Sequence, residues 1–278
     1  MGEGSNFPRH DRDFYRTPRA AVLPLIPHLR GVRTFAEPCC GDGALVRHLE
    51  SFGLRCVYAG DITTGRDALA CESFKGAYPN DTIVGEEEGG AGGTERLWLI
   101  DPIDGTANYA RGIPHYCVSI AYLERLAPTV GVIYDPSHDW LYSAARGGGA
   151  TCNDAPLSVS PQADLGAATI ECGWSTRRST ADYLALIARV MGAGCAIRRV
   201  GSGALGLVDV AAGRSEAYCE LHINAWDCAA GILLVEEAGG HTNDFFAGEG
   251  LTKGNPLIAT NHALCAKLAD LIGIPIEG

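Results

Sequence analysis

Residues 98–109 read Trp98-Leu99-Ile100-Asp101-Pro102-Ile103-Asp104-Gly105-Thr106-Ala107-Asn108-Tyr109, an apolar run that stops at two aspartates. The run 97–100 is short and apolar, which predicts a buried strand. Asp101 and Asp104 then stand three residues apart in a turn stiffened by Pro102. Two such carboxylates cannot both be buried in ionised form without a cation. Hard oxygen donors are what magnesium prefers, and the Ile103 carbonyl between them offers one more. Gly105 and Thr106 are expected to open a helix, whose free N–H groups and dipole suit an anion. A metal site and a phosphate cradle are thus expected within six residues. The same hexapeptide also suits a plain aspartate-rich turn with a helix cap.

Upstream, a strand is expected at 82–84, then Glu86-Glu87-Glu88 and a glycine-rich loop at 89–93. Downstream, alternating or apolar runs at 117–123, 129–134 and 140–145 predict strands, with turns at Asp135-Pro136 and Gly147-Gly148-Gly149. This middle section reads as a mostly antiparallel sheet. From about residue 164 strands alternate with helices. Helices are expected at 181–191, at 204–212 after Gly201-Ser202-Gly203, and at 226–238, where Gly239-Gly240 stops the last. Asn261 is expected to cap a final helix. Glu220 ends an apolar strand-like stretch, and Asp227 opens a strongly apolar helix. Taken alone, Glu86 suits a solvated loop, Asp227 a helix cap, and Glu220 is unremarkable.

Composition narrows the classes. Hydrophobic residues at 46% and charged residues at 20% describe an ordinary folded chain. A net charge of −11 disfavours nucleic acid and anionic membranes. The chain shows neither a secretory leader nor a run of about 20 apolar residues. Its eleven cysteines include no C-x-x-C pair, which predicts free thiols in a reducing compartment. A cytoplasmic protein without nucleic-acid or membrane partners is expected.

Three segments in order, Gly85-Glu86-Glu87, the stretch 98–109, and Trp226-Asp227-Cys228-Ala229-Ala230-Gly231 with Glu237-Ala238-Gly239-Gly240, resemble the inositol monophosphatase family over about residues 72–270. The resemblance implies an α+β layered sandwich of αβαβα, sugar-phosphatase type, usually a homodimer and commonly inhibited by lithium. It implies Mg2+ held by Glu86, Asp101, the Ile103 carbonyl, Asp104 and Asp227. It implies catalysis through Glu86, Thr106 and Asp104, with Glu86 and Thr106 positioning a metal-activated water. Substrate contacts are implied for Gly105, Thr106, Gly201, Ser202, Glu220 and Asp227. The expected reaction is hydrolysis of inositol monophosphate or a similar polyol or sugar phosphate. Related activities on fructose 1,6-bisphosphate, a nucleotide 3′-phosphate or histidinol phosphate use the same metal motifs. His222 is read as structural or substrate-adjacent.

The opening departs from that pattern. Residues 1–70 replace the family's two opening helices, and Glu37-Pro38-Cys39-Cys40-Gly41-Asp42-Gly43 followed by Asp61 resembles the start of a class I S-adenosylmethionine-dependent methyltransferase. Two strands are too few for a doubly wound sheet, so residues 1–70 are read as a non-functional fused fragment. Residues 71–163 form the sheet half with the metal motifs, and 164–278 an α/β half. Asp61-Ile62-Thr63-Thr64-Gly65-Arg66-Asp67 also imitates a phosphatase segment in which Asp67 would help hold a further metal. A fusion with impaired turnover, acting as a binding protein, is the alternative.

Overall fold

A computed structural model describes residues 34–37, 55–59, 81–85 and 95–276. Glu86, Glu87, Asp61 and Asp67, with the glycine-rich loop at 89–93, lie outside the described residues. The chain divides into two compact units, Met1–Pro79 and Asn80–Gly278. In the first, β1 (Thr34–Glu37) pairs in parallel with β2 (Arg55–Ala59).

In the second unit, β3 (Thr82–Gly85), β4 (Arg96–Asp104), β5 (Cys117–Glu124), β6 (Ala127–Asp135), β7 (Trp140–Ala145), β8 (Gly149–Cys152) and β9 (Ala155–Pro156) form a seven-stranded sheet in that order. Only β3 and β4 run parallel; every later pair is antiparallel. A one-turn helix α1 (Thr106–Tyr109) follows β4. Next come β10 (Thr169–Cys172), α2 (Thr180–Gly192), β11 (Ala196–Arg198), α3 (Gly203–Ala211), β12 (Ala217–Ile223), α4 (Ala225–Glu237), β13 (His241–Thr242), α5 (Gly250–Lys253), β14 (Asn255–Thr260) and α6 (Cys265–Ile272). Their strands form a five-stranded sheet ordered β11-β10-β12-β14-β13.

The sequence of α4 explains the layering. Apolar residues occupy nearly its whole circumference, so no face of it can be left to water. It packs with α3 between the two sheets, and both helices are buried along most of their length. Small residues permit the close approach. A Cβ on Gly231 of α4 would come within 2.5 Å of the Leu207 side chain on α3, and one on Gly131 of β6 within 2.9 Å of the Ala230 carbonyl. Side chains such as Leu99, Leu123, Ile133, Leu207 and Leu233 fill this core. Each fully buried one contributes about 1.5–3 kcal/mol. A second core lies on the other face of the five-stranded sheet, where Leu186 and Val190 of α2 meet Leu268 and Ile272 of α6. The architecture is the expected α+β layered sandwich, with sheet, helix, sheet and helix layers among the described residues.

One local expectation needs correction. The strand predicted to end at Ile100 runs on to Asp104. Leu97, Leu99 and Asp101 alternate onto the buried face, and regular pleating would put Asp104 on the opposite one. Instead the register shifts: Asp101 pairs with Ser119 and Asp104 with Cys117, so an extra residue sits on β4. This β-bulge returns Asp104 to the buried face beside Asp101. The Ile103 N–H donates to Asp101 Oδ1 at 2.9 Å, closing the bulge.

Candidate active site

The bulge delivers two carboxylates to the edge of the buried helix layer, and α4 delivers a third. Asp227 sits in the first turn of α4, where the Asn224 N–H and side-chain amide donate to its Oδ2 at 3.2 and 3.1 Å. The Ser119 hydroxyl donates to the Trp226 carbonyl at 3.3 Å, tying that helix start to the strand opposite Asp101. As a result Asp101, Asp104 and Asp227 each place a carboxylate oxygen within 4.8 Å of the others'. Asp101 and Asp104 are only 1% and 8% exposed.

Asp104 is held by the start of α3. The Ser202 hydroxyl donates to its Oδ2, the Ala204 N–H donates to the same oxygen at 2.8 Å, and the Gly203 N–H reaches Oδ1 at 3.3 Å. Burial nonetheless raises the Asp104 pKa, against the pull of these donors. Ser202 also caps α3, accepting from the Leu205 N–H at 3.2 Å. Ser202→Ala removes both bonds and leaves Asp104 short of a donor. A loss of about 2 kcal/mol is expected from the urea unfolding midpoint. Wild-type stability in that variant would refute this double role.

These residues border a cleft of about 770 Å3. Gly105, Thr106, Gly201, Ser202, Glu220 and Asp227 all line it. Gly105 has φ 90°, and a Cβ there would meet the His115 carbonyl at 3.1 Å, so glycine is required at this turn. The Thr106 hydroxyl donates to the Ile103 carbonyl at 2.9 Å. Both lone pairs of that hydroxyl, and one of the carbonyl, remain for other partners. The Tyr218 hydroxyl donates to Glu220 at 2.5 Å. Burial, with the charges of Asp227 and Asp104, pushes Glu220 up to about 8 despite this donor. The Lys253 carbonyl lies 2.7 Å from His222 Nε2, and His222 is not among the cleft residues.

Three cleft residues carry structure that the motifs did not suggest. Asn108 donates through Nδ2 to the carbonyls of His115 and Val200, at 2.8 and 2.7 Å. It thereby joins the turn after β4 to the segment before α3, 92 residues later. Its place within the quoted stretch was the only signal for it. His115 and Glu171 also line the cleft, and no pattern in the sequence marked either.

Burial, reinforced by the negative charge of Asp209, pushes Glu171 up to about 7 from an ordinary 4.5. The folded chain therefore keeps a proton between pH 4.5 and 7 that the unfolded chain has released. Stability falls as pH rises through that window, by on the order of 3 kcal/mol. Glu171→Gln has no such group. Its urea midpoint should gain on wild type from pH 4.5 to 8, and parallel profiles for the two would contradict the assignment.

The sequence model of the inositol monophosphatase family matches residues 61–273. The chain belongs to the inositol monophosphatase family. Among this family's members, it is 42% identical over 224 residues to an inositol-1-monophosphatase of Rhizobium meliloti, covering 79% of this chain and 84% of that one. It is 46% identical over 191 residues to the Nus factor SuhB of Xylella fastidiosa, covering 68% and 69%. The solved inositol monophosphatase of Anabaena (Nostoc) sp. PCC 7120 superposes with a TM-score of 0.67 at 37% identity, covering 76% of this chain and 85% of the other. The protein is a phosphatase of this family. The family match begins at Asp61, so the 61–67 segment falls inside it. Among the described residues, no helix is long and apolar enough to cross a membrane.

Proposed function

We propose that the chain is a Mg2+-dependent phosphatase acting on a small polyol or sugar phosphate such as inositol monophosphate, by direct attack of water. The observation that carries this reading is the convergence of Asp101, Asp104 and Asp227, from two distant segments, in the lining of a cleft sized for a small molecule. The donor set fits the ion. All the side-chain donors are carboxylates, and two of them, Asp101 and Asp104, are buried. Glu86 and the Ile103 carbonyl would complete the set, with Glu86 proposed from its motif alone. Bound there, magnesium would neutralise the phosphate dianion, acidify the attacking water and stabilise the leaving alkoxide.

The chain's own residues do the rest. Thr106 already donates its hydroxyl proton to the Ile103 carbonyl, so its oxygen can accept a hydrogen bond from the attacking water and orient it. Glu86 takes that water's other proton as general base. The glycine turn at Gly105 and the segment at Gly201 bring backbone to the cleft wall without a side chain. Glu220, steadied by Tyr218, faces the leaving group's hydroxyls. Among the described residues beside Asp104, neither Ser202, whose hydroxyl is spent on that carboxylate, nor Cys117, which is buried with a strongly raised pKa, offers a better nucleophile.

A cytoplasmic homodimer that binds neither nucleic acid nor membrane, and is inhibited by lithium, belongs to the same reading. Residues 1–70 are proposed to be a fused fragment without a cofactor role, for which calorimetry should detect no S-adenosylmethionine binding. Relatives named Nus factor support a second reading, a binding role in place of turnover. One assay separates the two. Phosphate release is measured over a panel of monoesters, with magnesium and with chelator. Release from polyol phosphates that chelator abolishes is expected; no release from any monoester would favour the binding role.

A further inference from the structure

One wall of the cleft carries a charge that the hydrolysis does not use. In the five-stranded sheet β10 lies between β11 and β12 and runs parallel to both, with Glu171 opposite Arg198 and Cys172 opposite Cys219. The Gly173 N–H donates to the Cys219 carbonyl at 2.8 Å and extends the pairing by one step. The next residues on the three strands therefore stand in a row: Arg199 after β11, Gly173 and Trp174 after β10, and Glu220 on β12. All four line the cleft, beyond the carboxyl ends of parallel strands, where α/β sheets bind ligands. Gly173 keeps the row open, because a Cβ there would collide with the Glu220 carboxylate.

The two arginines that close β11 have different fates. Arg198 is paired with Asp209 at 2.7 Å. Arg199 is exposed, and its side chain makes no ion pair or hydrogen bond among the described residues. It is also the one lysine or arginine among the described residues of the cleft lining, where five acidic residues stand. Its charge is felt along the whole row. Burial raises the Glu220 pKa, and Arg199 opposes that rise. Burial also raises the pKa of Tyr183, whose ring packs edge-on against Trp174 at 4.9 Å, and Arg199 opposes it there too. Glu220 nevertheless takes its hydrogen bond from Tyr218 and leaves the guanidinium unpaired.

A guanidinium presents a planar fork of donors that matches a carboxylate or a phosphate. The three aspartates with their metal account for the reacting phosphate, so a cation across the cleft suits another anion. We infer that Arg199, on the wall it shares with Trp174, is a site for a second anionic group carried by the leaving portion of the substrate, a phosphate or a carboxylate. The inference rests on the phosphatase reading above and goes beyond it by giving the substrate a second charge. Arg177 and Arg178, exposed in the turn after Trp174, add positive charge that favours the approach of such an anion.

The test uses three esters of one polyol chain, in the full chain with magnesium. Glucitol 6-phosphate ends in a hydroxymethyl group, 6-phosphogluconate in a carboxylate and glucitol 1,6-bisphosphate in a second phosphate. Wild type should prefer one or both doubly anionic esters in kcat/KM by about tenfold, the low end for a hydrogen bond to a charged group, and the preferred arm names the anion. Arg199→Gln should remove most of that preference, chiefly through KM. Arg199→Lys keeps a point charge without the fork and should fall between the two, which guards against a glutamine variant that folds poorly. The wild-type preference should also shrink between about 0.01 and 1 M salt, where the screening length falls from about 30 to 3 Å. Rates on all three esters that fall together in Arg199→Gln, with the preference intact, would assign Arg199 a purely structural role and overturn the inference. A wild type that hydrolyses the three alike overturns it too and leaves the phosphatase reading standing. Phosphate release from none of them removes the phosphatase reading itself, and the inference with it.

Discussion

Asp104→Asn is expected to lower phosphate release by on the order of 10³-fold and to abolish the rise in Tm that magnesium gives the wild type. The first figure follows from the several kcal/mol of charge stabilisation a bound metal supplies to a transition state, at about 1.36 kcal/mol per factor of ten. The second follows from linkage. At a hundred times its Kd, an ion that binds only the folded chain adds about 2.7 kcal/mol, or several degrees for a unit of this size. Asparagine removes a ligand charge beside Asp101 and Asp227. It also turns an amide toward donors that now meet an acceptor on one atom only. Without magnesium, those lost bonds oppose the relief of a buried charge, so the informative quantity is the difference in Tm with and without the ion. Calorimetry that finds no magnesium binding to wild type, or the same Tm rise in Asp104→Asn, would remove Asp104 from the metal site.

Glu86→Gln is expected to reduce kcat by about 10²–10⁴-fold, the usual worth of a positioned proton transfer. KM should stay within a few-fold, because the loss falls on the transition state. The register supports the assignment. β3 ends at Gly85, paired with Ile100, one residue before Asp101. Glu86 is the next residue in the sequence after that strand end. A carboxamide keeps the shape and loses the basicity. Water attack in a single displacement also requires inversion at phosphorus and one label from ¹⁸O-water. A trapped phosphoprotein, retention at phosphorus, or a fully active Glu86→Gln would each exclude this mechanism.

Much of the site was legible because its chemistry is local. Asp101, Ile103, Asp104, Gly105 and Thr106 lie within six residues, and carboxylates flanking a proline already point to a cation. The apolar circumference of α4 and the short alternating strands of the seven-stranded sheet were likewise readable, since burial imposes its period directly on the residues. The end of β4 was not. A turn and a bulge share the same residues, Pro102 among them, and only pairing with β5 decides between the two.

By itself, the sequence determined the layered fold class, the family and the three acidic segments, because hydrophobic periodicity and short motifs are properties of neighbouring residues. Tertiary structure alone decided that Asp101 and Asp104 share a face, through the one-residue register shift against Cys117 and Ser119. It alone made Ser202 a donor to Asp104, 98 residues away. It alone brought His115 and Glu171 to one cleft and tied the His115 and Val200 carbonyls together through Asn108. Hydrogen bonds between distant segments leave no period in a sequence. They exist only once the buried helix pair has drawn both sheets together.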